Sequence, residues 1–180
     1  MYVIRAAEPA DIDAWLATIE AQQRENGAGG VYFSPWSARD PGPPRTRDAA
    51  AGYVERLLRP VSASAWLRIW LASLRETGAV VGHADLAGGR FPAETHRATL
   101  GMGLVRAHHR HGVGAGLLEA AVAWARSDPG LGWIDLGVFS GNHPARTLYR
   151  KQGFTETGRT TDRFRVDGVS IDDVQMVLRV

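Results

Sequence analysis

The sequence predicts a single mixed α/β domain over residues 1–180, with a mostly antiparallel sheet of about six to seven strands flanked by about four helices. Three observations predict it. Strand-like and helix-like runs follow the order strand, helix, helix, three strands, helix, strand, helix, two strands. Short turn-rich separators divide the three consecutive strand runs, which makes them antiparallel neighbours. A single strand–helix–strand crossover in the middle of the chain adds one parallel pair.

Each element has its own warrant in the sequence. Residues 2–5, YVIR, are β-branched and aromatic-rich and read as a short strand. EPADIDAWLATIEAQQREN reads as a helix: Pro9 suits a first turn, acids crowd the N-terminal end, and Ile12, Trp15, Leu16 and Ile19 keep helical spacing. Residues 27–46 are dense in glycine and proline and suit a loop. A second helix is expected from about Asp48 to Arg59, with Tyr53, Val54, Leu57 and Leu58 on one face. Strands are expected at 66–74, 78–88 and 97–105. After Val105 a glycine stretch opens an Ala- and Leu-rich helix that closes near Asp128. Residues 132–139 read as a buried-type strand. GNHPARTLYRKQGF reads as a short helix with an Asn cap, Pro144 in its first turn and Gly153 at its stop. Residues 160–180 suggest two strands around the Asp167–Gly168 turn.

Composition narrows the functional classes. The chain has no cysteine, which excludes disulfides, thiolate metal sites and a cysteine nucleophile, and fits a cytoplasmic location. No apolar run approaches a membrane span, and the first residues lack an apolar signal core, so neither membrane insertion nor export is expected. A formal charge of +2, with scattered arginines, does not argue for nucleic acid. The exception is a basic cluster from Arg106 to His111. Three close histidines there, His108, His109 and His111, lack accompanying carboxylates, and no metal site is expected.

The cluster runs into Gly112, Gly114 and Gly116, which allow three readings. A turn serving close helix–strand packing is one. A dinucleotide turn is a second, but that fingerprint starts directly after its strand, whereas RAHHRH intervenes here; Asp135, the acid that follows, sits mid-strand. The Gly-Lys-Ser/Thr of a nucleotide-hydrolase loop is absent. The third reading keeps every feature: glycines let several N–H groups approach one anion at a helix start, whose partial charge is worth roughly 0.3–1 kcal/mol, or up to about 2 when partly buried.

GLVRAHHRHGVGAGLLEAAVAWAR followed by LGVFSGNHPARTLYRKQGF resembles the GCN5-related N-acetyltransferases, the GNAT family. The family's Gln/Arg-x-x-Gly-x-Gly/Ala motif falls on His109-Arg110-His111-Gly112-Val113-Gly114. Its later motif falls on Asn142, Leu148-Tyr149 and Gly153-Phe154. IRAAEPADIDAWL also resembles the family's first strand and helix, and DGVSIDDVQMVL its last strand. His109 departs from the usual Gln or Arg; an imidazole still donates a hydrogen bond, and Arg110 or Arg106 can supply charge.

The resemblance implies a splayed central strand pair and an acetyl-CoA-dependent transfer of acetyl to a primary amine, by direct attack on the thioester. It implies coenzyme contacts at Leu104, Val105, His109, Arg110, His111, Gly112, Val113, Gly114, Ala115, Gly116, Asn142, Tyr149 and Lys151. Partners are then acetyl-CoA and an amine acceptor of a small molecule, with no nucleic acid and no membrane; a homodimer is the candidate assembly. A peptide or protein N-terminus as acceptor, and a non-catalytic acyl-CoA-binding module, are the alternatives.

Tyr149 matches the family's general acid. A phenol of pKa near 10 keeps its proton at neutral pH and can donate towards a thiolate; a packing role is the alternative. An alkylamine of pKa about 10.4 costs roughly 4.6 kcal/mol to neutralise at pH 7, so a base is expected. The strand VVGHADL offers His83 and Asp85, which alternate onto one face; His83 is the first candidate, with Asp135 and Glu94 behind it. Tyr32, Phe33, Trp36 and Arg39 in the 27–46 loop are candidates for setting acceptor specificity, Arg39 by holding a carboxylate.

Overall fold

A computed structural model describes residues 1–37, 39–40, 42, 46–128 and 130–180. The strand β1 (Tyr2–Ala6) leads through a 3-10 turn at Pro9–Asp11 into α1 (Ile12–Arg24), and α2 (Arg47–Leu58) follows a long connection. Then come β2 (Leu67–Leu74), β3 (Val80–Gly88), β4 (Arg97–Leu104), α3 (Val113–Ser127), β5 (Trp133–Phe139), α4 (His143–Lys151), β6 (Thr155–Val166) and β7 (Val169–Arg179). Local chemistry fixes the helix starts. The Asp11 carboxylate accepts from the Glu8 N–H at 2.8 Å and from Arg5 Nη1 at 2.7 Å. Thr46 Oγ1 caps α2 through the Ala49 N–H at 3.2 Å, and Asn142 Oδ1 caps α4 through the Ala145 N–H at 3.3 Å.

The seven strands form one sheet in the order β1-β2-β3-β4-β5-β7-β6. Every neighbouring pair is antiparallel except β4 and β5, joined by the right-placed crossover through α3. Side chains alternate along β2 and divide two cores. Trp70 and Ala72 face α3, whose Leu117, Leu118, Ala121 and Val122 pack there together with Tyr149 of α4. Leu67, Ile69 and Leu71 face the other way, against Ile12, Trp15 and Leu16 of α1 and Leu57 of α2. Thus α3 and α4 cover one face of the sheet, and α1 and α2 the other.

Two expectations need correction. Leu57 is 8% exposed but Leu58 is 68% exposed. The stripe of α2 that packs is Ala50, Tyr53, Val54 and Leu57; Leu58, one residue on, rotates about 100° out of it. The penultimate strand also starts at Thr155 rather than near residue 160. It is exposed along nearly its whole length and is held by its ladder with β7, so it shows no apolar alternation.

One irregularity positions everything that follows. Parallel pairing of β4 with β5 covers only Arg97–Thr99 against Trp133–Asp135. Beyond that point β4 stays paired with β3 through Leu104, and β5 stays paired with β7 through Phe139. The two central strands therefore diverge and leave a gap through the sheet, the splay that the family resemblance implies.

Candidate active site

At the C-terminal end of β4 the chain makes a 3-10 turn, Arg106–His108, and then places Arg110 (φ 63) and Gly112 (φ 77) in the left-handed region. Such a backbone turns successive N–H groups to one side. The first helical bond of α3 is Gly116 N–H to Gly112 O at 3.0 Å. Among the described residues, the N–H groups of His111, Gly112, Val113, Gly114 and Ala115 find no acceptor. Five free donors at the positive end of a helix dipole suit an anion.

The three glycines do different work. Gly112 is demanded by its φ of 77, since a Cβ there would meet nothing within 4 Å. A Cβ on Gly114 would make ordinary contacts with Leu148 and Met102. On Gly116 it would come within 2.7 Å of Ile4 Cδ1, so this glycine lets α3 approach β1. The packing reading thus holds for Gly116, whose N–H is spent inside the helix.

The histidines sit in three separate settings. His109 Nε2 lies 2.9 Å from the Leu104 carbonyl, which can only accept, so Nε2 carries the hydrogen. His108 Nδ1 is 3.0 Å from the Tyr2 hydroxyl, and the His111 ring lies 6.2 Å from the Tyr2 ring. Among the described residues no three His, Asp or Glu side chains gather to hold a metal ion. Arg106 donates its N–H to Glu25 at 2.9 Å and lays its guanidinium beside Gly29.

The edge of β4 that faces the gap follows from register. Val105 N–H bonds Val81 O at 2.9 Å, which commits Val105 to β3. Along an antiparallel ladder the bonding side alternates, so Gly103 and Gly101 also bond towards β3, while Leu104 and Met102 turn their N–H groups towards the gap. Of the expected pair Leu104 and Val105, Leu104 therefore has the open N–H, and Met102 joins it. The sequence carried no signal for Met102.

On the α3–α4 side of the gap stands Tyr149, buried and 5.8 Å ring to ring from Phe154. Burial and the nearby Asp85 charge push its phenol above the usual range, so it keeps its proton. Its hydroxyl has no hydrogen-bond partner among the described residues. In α4, Arg146 and Arg150 both pair with Glu156, at 2.8 and 2.5 Å, and Lys151 is exposed without a partner among the described residues.

On the α1–α2 side, His83 and Asp85 share one face of β3, opposite Gly103 and Gly101 of β4. A Cβ on Gly101 would lie 2.8 Å from both Asp85 oxygens, so the carboxyl rests directly on the β4 backbone beside the gap. Gln22 of α1 fills the space over Gly103 and reaches His83 Nδ1 at 3.5 Å, while His83 Nε2 is 3.5 Å from Asp85 Oδ1. The His83 side chain is 7% exposed and the Asp85 side chain 18%, so the carboxyl is the more open member of the pair. Burial raises its pKa to about 7 against the opposing charge of Arg56. The other acids are engaged: Asp135 takes Arg97 Nε at 2.8 Å, and Glu94 accepts from the N–H groups of Arg90 and Phe91.

The 27–46 connection is organised by a residue that sequence reasoning passed over. Asn26, buried, donates to Ser34 O and Trp36 O at 2.9 and 2.7 Å and accepts from Phe33 N–H at 2.8 Å. Tyr32 packs with Phe139, Val166 and Ile171, tying the connection to the β6–β7 hairpin, whereas Phe33, Trp36 and Arg39 stand exposed. Residues 38, 41 and 43–45 of the expected specificity loop lie outside the described residues.

Comparison with known proteins agrees with this arrangement. The model of the acetyltransferase (GNAT) family matches residues 33–154. No curated protein matches. Among solved structures, a GNAT-family acetyltransferase from Streptococcus pneumoniae is 22% identical with a TM-score of 0.85, over 100% of both chains. The yncA protein of Salmonella typhimurium, solved with its cofactor acetyl-CoA, is 23% identical with a TM-score of 0.77, over 99% of this chain and 93% of that one. Spermidine N-acetyltransferase from Vibrio cholerae, in complex with CoA and spermine, is 17% identical with a TM-score of 0.72, over 99% of this chain and 95% of that one. The cradle at the start of α3, the divergence of β4 from β5 and a family model that spans both motifs converge on one conclusion: the chain belongs to the acetyltransferase (GNAT) family.

Proposed function

We propose that the chain transfers the acetyl group of acetyl-CoA to the primary amine of a small molecule, by direct attack on the thioester. One observation carries the reading. The sheet opens between β4 and β5 where free N–H donors and a buried tyrosine line one face and an aspartate of raised pKa lines the other. Donor and acceptor then meet through the sheet from opposite sides.

The residues present fit acetyl-CoA. The N–H groups of His111 to Ala115 suit its pyrophosphate, with Arg110 as the adjoining cation in the chain, and the open edge of β4 suits an extended amide-bearing arm. When bound, acetyl-CoA supplies an acetyl carbon activated by a thiol leaving group. One of the two open N–H groups of β4, about 7 Å apart along the strand at Met102 and Leu104, holds the carbonyl oxygen as charge develops on it, and the other is left for the arm; such a donor is worth about 3–4 kcal/mol. Asp85 accepts the amine proton, and His83 with Gln22 fixes the carboxyl over Gly101. Tyr149 keeps its proton and steadies the departing sulfur by a hydrogen bond, since a phenol raised above its usual range is a weaker acid than the thiol.

His83, the first candidate in the sequence, becomes a positioning residue in this scheme, because its ring is the more buried member of the pair and its two nitrogens face Gln22 and Asp85. The test is direct. Calorimetry should detect acetyl-CoA binding to the purified chain, and an amine panel should release free CoA. Tyr149→Phe should bind acetyl-CoA with unchanged affinity and lose about 10-fold or more in kcat. Absence of both binding and turnover in the native chain sinks the proposal.

A further inference from the structure

Beside Asp85, on the α1–α2 face, the sheet floors a cleft of about 610 Å³ that the chemistry above leaves unused. Ala87 and Thr99 form its floor as a cross-strand pair, two residues and about 7 Å along the strands from the Asp85–Gly101 pair on the same face. Arg56 of α2 forms one wall; Arg90, Phe91 and Glu94, from the turn after β3, form the other.

Arg56 is held in place and yet uncommitted. Its Nε donates to Ala65 O at 3.0 Å, and its guanidinium lies 5.9 Å from the centre of the Tyr53 ring. Among the described residues, neither terminal nitrogen has an acceptor and no carboxylate pairs with it. A guanidinium fixed by a carbonyl and a ring, with its fork unspent, matches a planar two-oxygen anion. Glu94 forms no ion pair with it; one oxygen of that carboxylate is held by the N–H groups of Arg90 and Phe91 in its own turn. The exposed Phe91 ring offers an apolar wall. Arg56 is also near enough for its charge to act on Asp85.

We infer that the acceptor is a small zwitterion, a primary amine carrying a carboxylate, with Arg56 binding the carboxylate while the amine faces Asp85. The inference rests on the acetyltransferase reading and names its substrate class. A polyamine would bring a second ammonium against Arg56. A peptide N-terminus would place a neutral amide where the guanidinium calls for charge.

The experiment uses the full chain with acetyl-CoA and matched sets of acceptors: each standard amino acid, its decarboxylated amine, its amide, and a short peptide beginning with it. At least one amino acid should exceed its decarboxylated amine and its amide in kcat/KM by about 10- to 100-fold, the worth of a charge-assisted hydrogen bond. Arg56→Gln should collapse that ratio towards one, and Arg56→Lys should keep part of it. Both variants should bind acetyl-CoA like the native chain, which shows them folded. Acetyl-CoA binding with turnover confined to amines or peptides that lack the carboxylate, with turnover of no amino acid, or with a ratio indifferent to Arg56→Gln, overturns the inference alone. Failure of the native chain to bind acetyl-CoA overturns the acetyltransferase reading beneath it.

Discussion

A carboxyl pressed between a buried histidine and the backbone of a strand glycine is a poor place for negative charge, and that is its use at Asp85. A free aspartate is too weak a base to take a proton from an alkylamine, whereas one raised to about 7 is poised near neutrality. The base must be ionised, so kcat/KM should climb as pH rises through about 7. Asp85→Asn should cost on the order of 100-fold or more and abolish that limb. His83→Gln should keep the limb but displace it, because it changes what the carboxyl rests against. A pH profile that Asp85→Asn leaves in shape would show that the proton goes elsewhere. His109 is settled differently. Its Nε2–H is spent on Leu104 O, so a neutral ring has no second donor for a phosphate. A glutamine amide can give the same bond to the same carbonyl; His109→Gln should therefore hold acetyl-CoA affinity within about threefold by calorimetry, while His109→Ala should weaken it by about 1 kcal/mol.

Among the elements, β4 and α3 show what a sequence discloses and what it withholds. The cradle was legible because its parts are local: strand end, basic turn, alternate glycines and helix start all lie within one stretch, and the Asn–Tyr–Gly-Phe motif follows at its own fixed spacing. The glycines of β4 were not legible. Gly101 and Gly103 read only as weak strand formers, yet one makes room for Asp85 of β3 and the other for Gln22 of α1. Both partners come from elements brought alongside by the fold, so no local pattern announces them. The same holds for Arg56 and Asn26, whose partners depend on how the connections lie. Gly103→Ala tests the point. Its Cβ would fall 2.0 Å from Gln22 Oε1, which must swing away from His83. Overpacking of this kind costs about 1–3 kcal/mol. Urea melts should show that loss, and turnover should fall further than acetyl-CoA binding, because the displaced group supports the acceptor side alone.

For the molecule as a whole, the divided sheet sets activity against stability in a way pH can expose. Two cores cover the two faces, and the reaction gap lies between them with a carboxyl held where its charge is disfavoured. The folded chain keeps the Asp85 proton up to about 7, while the unfolded chain releases it near 3.8. Between those values the native state binds more protons, so this group's contribution to stability falls as pH rises and levels off above about 7. Asp11, Glu156, Asp162 and Asp172 are shifted the other way, by arginine partners and by backbone or hydroxyl donors. Their contribution is complete above the ordinary carboxylate range and is lost only as pH falls below it, so the two windows separate. Asp85→Asn removes the first window and leaves the second. The variant should gain on the native chain as pH rises from about 5 to about 8, by about 1–4 kcal/mol in urea melts, while losing turnover over the same interval. A stability difference that stays flat across that interval would mean that Asp85 ionises without resistance, and a base of ordinary pKa could not sustain the proton transfer assigned to it.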